Sequence, residues 1–142
     1  MQDILVRGAR FSDGNSADIL VHDGRIAELG SALSSKAATI IDAAGLIALP
    51  GLVDLHTHLR EPGFEQTETV LSGSRAAAIG GFTAVHAMAN TSPVADTAGV
   101  VEQVQSLGDA AGYVTVRPVG AVTAGLGGER LAEIGAMARS RA

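Results

Sequence analysis

The chain has no cysteine, so it forms neither a disulfide nor a thiolate metal site. Any bound transition metal must be held by histidine and carboxylate groups. Tryptophan is also absent, and aromatics make up 3% of the residues. The core must then be built from Val, Ile, Leu and Ala, which suits helices packed on a parallel sheet better than a surface of aromatic anchors. No run of Lys or Arg occurs. Lys36 is the only lysine, and 15 acidic against 10 basic residues give a formal net charge of -5. Nucleic acid and anionic membranes are therefore unsupported as partners. No apolar stretch reaches the roughly 20 residues that span a bilayer, and no secretory leader is visible. These absences predict a soluble, cytoplasmic protein. With 46% hydrophobic and 18% charged residues, the 142-residue chain can bury a core.

Two patterns divide the chain at Pro50-Gly51. Residues 1–49 read as a small antiparallel β module. Its strands start at Ile4-Leu5-Val6, cover 18–22 and 25–29 around an Asp23-Gly24 turn of type I′, and continue at 38–42 and 46–49. From residue 50 to 142, strands alternate with segments of helical length, the mark of βαβ units and a parallel sheet. The strands are 52–59, 82–87 and 113–119. The helices are 67–79, 97–111 with Asp96 as N-cap, and 128–141 with Leu131, Ile134 and Ala138 on one stripe. Three such units leave open parallel edges. The expectation is a piece of a larger α/β barrel, and the alternative is a small three-layer α/β domain with a short open sheet.

Chemistry concentrates in Asp54-Leu55-His56-Thr57-His58-Leu59-Arg60-Glu61-Pro62-Gly63. Side chains alternate along a strand, so His56 and His58 point the same way from its C-terminal end. Active sites form at that end in β/α barrels. Two imidazoles placed there make a chelating pair for a divalent metal; two solvated surface histidines are the alternative. Arg60, next on that face, can clamp a carboxylate with two parallel hydrogen bonds, or pair with Glu61 or Glu65. Asn90, in the loop after the second strand, offers a donor and an acceptor to an imide or ureido edge, or stabilises the turn before Pro93. His86 reads as barrel packing and His22 has no assigned role. Asp54 either orients an imidazole or is a structural polar residue deep in the strand.

The run from Pro50 to His58 resembles the first barrel strand of the amidohydrolase superfamily, and its extension through Arg60-Glu61-Pro62-Gly63 is similar to that of long-chain bacterial dihydroorotases. Residues 17–30 look like that family's N-terminal hairpin. Met88-Ala89-Asn90-Thr91 resembles a loop in which Pro usually stands where Ala89 is, and residues 118–126 resemble the third-strand segment.

The resemblance implies the N-terminal part of a (β/α)8 TIM-barrel amidohydrolase, about three β/α units at 50–142, preceded by a β-sandwich module at 1–49. It implies the reversible cyclisation of N-carbamoyl-L-aspartate to L-dihydroorotate in pyrimidine biosynthesis, with one or two Zn2+ per complete site. His56 and His58 would be metal ligands. His58, Arg60 and Asn90 would border the substrate, with Arg60 on its carboxylate. A metal polarises the amide carbonyl and activates water, and a carboxylate shuttles protons. The catalytic Asp, a bridging carboxylate and two further histidines are expected beyond Ala142, so the chain alone is expected to be inactive. Lys36, in the β module, cannot serve as a bridging lysine. The resemblance also implies, as partners, a second copy in a homodimer or aspartate transcarbamoylase. Alternative readings are another cyclic-amide hydrolase, an allantoinase or dihydropyrimidinase, or a non-catalytic assembly partner of aspartate transcarbamoylase.

Overall fold

A computed structural model describes residues 3–35 and 39–140. Lys36, the Ala38 start of the fourth expected strand and the Arg141 end of the last expected helix lie outside the described residues. The chain divides into two compact units, Met1–Pro50 and Gly51–Ala142.

In the first unit, β1 (Ile4–Arg10), β2 (Ser16–His22), β3 (Arg25–Gly30) and β4 (Thr39–Asp42) form one sheet in the order β3-β2-β1-β4. β2 pairs antiparallel with both β1 and β3, as hairpins dictate, but β4 runs parallel to β1. The expected purely antiparallel unit is thus a mixed sheet. Residues 46–49 are not a full strand. They make one bridge, Arg10 to Ile47, framed by Arg10 N–H to Leu46 O at 3.0 Å and Ala48 N–H to Arg10 O at 2.8 Å. The β2–β3 loop is two residues long, with φ of 47° at Asp23 and 72° at Gly24. Positive φ at both central positions is the type I′ requirement that Asp-Gly meets. The Asp18 carboxylate accepts from Gly8 N–H at 2.8 Å and Leu33 N–H at 3.0 Å, holding the bulge of β1 and the chain after β3. Leu5, Ala9 and Ala43 are buried.

The second unit is a parallel sheet, β5 (Leu52–Thr57), β6 (Phe82–Ala87) and β7 (Thr115–Pro118) in sequence order, interleaved with α1 (Val70–Ile79) and α2 (Ala98–Ala111). A 3-10 turn, Ala124–Leu126, and a short α3, Ile134–Arg139, follow. Leu59, Val70, Val85, Ala87, Val104, Val114 and Val116 form the main core between sheet and helices, without a buried aromatic ring. Gly108 of α2 packs so closely on β7 that a Cβ there would lie 2.5 Å from Val116 Cβ. A second cluster joins Ala89, Ala95, Val101, Ala121 and Met137.

Three expected helices are corrected in their limits. α1 starts at Val70 rather than 67. Thr69 and Ser72 form a reciprocal capping box, each side chain accepting from the other's N–H at 3.0 Å, and this fixes the start. The N-cap of α2 is Thr97, not Asp96. Asp96 instead ties down the loop after β7, its carboxylate accepting from Gly125 N–H at 2.7 Å. The expected helix 128–141 shrinks to six residues. Gly125 and Gly128 have positive φ, and Leu131 pairs with Thr123 in an isolated bridge. Leu131 is 68% exposed and Ile134 and Ala138 are exposed too, so the anticipated stripe does not exist; Met137 is the buried residue of α3. Among the described residues no helix is long and apolar enough to cross a membrane.

Candidate metal centre

β5 ends at Thr57, so His56 is its penultimate residue and His58 lies just beyond it. The two rings are neighbours, with centroids 5.2 Å apart and planes at 71°. Both histidines are solvent-exposed. Neutral imidazole nitrogen is a standard ligand for a divalent cation. The donor chemistry fits zinc, but a zinc site normally takes at least three protein ligands. Among the described residues no third His, Asp or Glu gathers with them.

Simple alternation would put Asp54 on the face of His56 and His58, but the observed register breaks it. In the β5–β6 ladder Asp54 is opposite Val85 and Thr57 is opposite Ala87, three steps against two. One extra residue is therefore accommodated in β5, a bulge of the kind that re-aims side chains near sites. Asp54 Oδ1 accepts from His56 N–H at 2.9 Å, a local turn that stabilises this bulge. Of the two roles open to Asp54, the structure shows the structural one. His86, half-buried on β6, donates from Nδ1 to the Asp54 carbonyl at 3.2 Å, and Thr57 Oγ1 donates to the His86 carbonyl at 2.9 Å. His86 thus ties β6 to β5, in keeping with a packing role.

Arg60 departs from the expected strand geometry. Its φ is 60°, in the left-handed region, so the extended alternation that put it on the His56–His58 face stops before it. Its carbonyl accepts from Phe64 N–H at 2.9 Å, closing a turn. Neither candidate ion-pair partner holds it. Glu61 Oε2 accepts from Val70 N–H at 2.7 Å, and Glu65 Oε1 accepts from Gly63 N–H at 2.8 Å, which holds the Glu65 carboxyl below the usual range. The guanidinium makes no ion pair among the described residues.

Asn90 does meet the histidine pair: its Oδ1 lies 2.9 Å from His58 Nδ1. The loop that presents it is pinned on both sides. Met88 N–H donates to Thr57 O at 2.8 Å, Ala95 N–H to Ala89 O at 3.0 Å, and Ser92 N–H to Pro62 O at 2.9 Å. Gly63, at φ 101°, lies so close to Ser92 that a Cβ would stand 2.2 Å from the Ser92 carbonyl oxygen. The loop of Arg60 and the loop of Asn90 are thereby clamped together. Pro62-Gly63 by itself signals no more than a turn. The partner of that turn, 29 residues on in the chain, leaves no local pattern to read.

A dihydro-orotase-like family profile matches residues 45–142. The chain is 70% identical over 141 residues to a dihydroorotase of Leifsonia xyli subsp. xyli, covering 99% of this chain and 32% of that protein. It is 59% identical over 143 residues to a dihydroorotase of Streptomyces coelicolor, covering 100% of this chain and 33% of the other. Among solved structures it resembles an L-hydantoinase (dihydropyrimidinase) from Arthrobacter aurescens, with TM-score 0.72 and 30% identity, covering 87% of this chain and 28% of that one. The chain thus spans about a third of the length of the relatives it matches. With the family profile covering more than half of its residues, including His56, His58, Arg60 and Asn90, this chain belongs to the dihydro-orotase-like family.

Proposed function

We propose that this chain carries the first β/α units of a dihydroorotase barrel, and that the protein interconverts N-carbamoyl-L-aspartate and L-dihydroorotate. The observation that carries this reading is the pair of neighbouring rings, His56 and His58, 5.2 Å apart at the C-terminal end of a parallel strand. That strand end is where β/α barrels gather their chemistry. Identities of 59–70% to proteins named dihydroorotase support the choice of reaction.

In this reading His56 and His58 hold one side of a zinc ion, and other segments of the protein supply the remaining ligands. Zinc bound there would supply Lewis-acid polarisation of the scissile amide carbonyl and a lowered pKa for the attacking water. The chain's own residues bind and orient the substrate. Arg60, free of intramolecular ion pairs among the described residues, offers a planar fork for the ring carboxylate. The close approach of Gly63 to Ser92 ties the loops of Arg60 and Asn90 to each other, which supports a reading in which both address one ligand. The β module at 1–49 would be one portion of a sandwich beside the barrel. A cytoplasmic location and a small-molecule substrate accord with this chemistry, and self-association or aspartate transcarbamoylase as a partner would be accessory to it.

A second reading rests on the structural likeness to a hydantoinase (dihydropyrimidinase): a cyclic-amide hydrolase whose substrate lacks the ring carboxylate. Arg60 separates the two, because a guanidinium left against a neutral ring would be poorly compensated. The test is turnover by the complete zinc-loaded protein of dihydroorotate against dihydrouracil, hydantoin and allantoin. Preference for dihydroorotate supports the proposal; preference for a neutral ring replaces it with the second reading.

A further inference from the structure

We propose that Asn90 is a positioning residue that sets the tautomer of His58 and thereby decides which ring nitrogen faces a metal. The inference rests on the metal-ligand reading of the histidine pair. It starts from one contact, His58 Nδ1 to Asn90 Oδ1 at 2.9 Å. An amide oxygen can only accept, so Nδ1 must carry the proton. A neutral imidazole with its proton on Nδ1 keeps its lone pair on Nε2. Asn90 therefore leaves His58 with one free lone pair, on Nε2, and metal-binding histidines are commonly fixed in this way by a partner on the other nitrogen.

His56 has no such partner among the described residues; its ring is braced by the edge-to-face contact with His58. Asn90 thus orients one ring directly and the second through the first. The loop that carries it is suited to this task, because bonds from Met88, Ser92 and Ala95 hold its backbone on both sides of Asn90.

A consequence for specificity follows. With Oδ1 engaged by His58, the group Asn90 chiefly offers to a substrate is its NH2, a donor. It would read a carboxylate or carbonyl oxygen, not the N–H edge of an imide or ureido group that the sequence alone also allowed.

The experiment uses the complete protein, metal-free and labelled with 15N-histidine, and reads the two-bond proton–nitrogen pattern of each ring, with His58 assigned by loss of its signals in His58→Gln. His58 is expected in the Nδ1–H form in the wild type and in Asn90→Asp, which keeps an acceptor. In Asn90→Leu the pattern should move toward Nε2–H. Affinity for Zn2+ alone should fall about 10–100-fold in Asn90→Leu and be retained in Asn90→Asp. An Nε2–H His58 in the wild type would overturn the proposal, as would Asn90→Leu leaving both the tautomer and the zinc affinity unchanged. Because the tautomer is read without metal, a wild-type protein that binds no zinc through its histidines would defeat the metal reading while leaving the Asn90 readout intact.

Discussion

Glu61 Oε2 accepts a 2.7 Å hydrogen bond from the N–H of Val70, the first residue of α1. Its carboxylate therefore sits at a helix N-terminus, where unpaired N–H groups and the helix dipole favour negative charge. The residue that follows Arg60 is thus anchored to a fixed element. Glu61→Ala should cost about 1 kcal/mol of stability, as loss of an N-terminal cap does, and should raise KM for dihydroorotate by loosening Arg60. Glu61→Gln should fall between. Urea unfolding and steady-state kinetics of the complete protein check both; an unchanged KM in Glu61→Ala would refute the anchoring role.

Gly63 cannot carry a side chain. A Cβ would meet the Ser92 carbonyl oxygen at 2.2 Å and Ser92 Cβ at 2.5 Å, at a φ of 101° that L-residues rarely adopt. Gly63→Ala should destabilise by more than about 2 kcal/mol, the range of overpacking combined with backbone strain. Gly99 in α2, with open space around its Cβ direction, is the control: Gly99→Ala should be neutral or stabilise by about 0.5 kcal/mol. Thermal unfolding of the two variants side by side measures the contrast.

Arg60→Ala should reduce kcat/KM for dihydroorotate by about 30–150-fold, the worth of a charged hydrogen-bonded clamp of roughly 2–3 kcal/mol. Arg60→Lys should recover part of it, since an ammonium keeps the charge and loses the fork. Turnover of a neutral ring such as dihydrouracil should change little. Equal loss on both substrates would mean that Arg60 serves the fold.

Removal of either imidazole should abolish tight metal binding. His56→Ala and His58→Ala in the complete protein should each lower zinc affinity by at least about 100-fold, because a three-ligand site is normal and each ligand contributes several kcal/mol. Chelation should remove activity and added zinc restore it. The 142-residue chain alone should bind zinc weakly and turn over no substrate, since only two donors meet among the described residues. Titration with zinc and a chelating dye gives the affinities.

His22 should make the first unit sensitive to pH. Its Nδ1 lies 2.6 Å from Asp3, and the hydrogen bond and charge of Asp3, with Asp23 adding to them, raise its pKa above the usual histidine value. A raised folded pKa stabilises while the ring is protonated. The contribution is complete below the unfolded value of about 6.5 and disappears as pH rises through the raised folded value. Wild type and Asp3→Asn should therefore differ in unfolding midpoint at pH 6 and converge well above neutrality. NMR titration should show the His22 pKa falling in Asp3→Asn; the exposure of the pair keeps the effect small and salt-sensitive.

The sequence carried the frame of the second unit well. Apolar strands bounded by Gly and separated by helix-length segments identified β5, β6 and β7, and the Asp23-Gly24 hairpin followed from backbone sterics alone. Neighbouring rings at His56 and His58 were also legible, because they depend on local spacing. What escaped depends on distant partners or on backbone departures. The bulge at Asp54 breaks period two without any unusual residue type in the strand. Arg60 in the left-handed region has no sequence mark. In the third helix, six residues are too few to establish a period, and contact with Ala121 and Val101 selected Met137 rather than the Leu131 stripe. Asn90 was picked out as a ligand-facing amide, yet its bond to His58 spans 32 residues.

β5 is bordered on one side by β6 and on the other by no strand among the described residues, and Leu55 beside His56 is 70% exposed. The backbone beneath the two imidazoles is thus stitched along a single seam. Amide protons on its outer side should exchange with deuterium far faster than those of β6. Whatever laces onto that free selvedge in the working protein would then sharpen the grip on a cation without touching it.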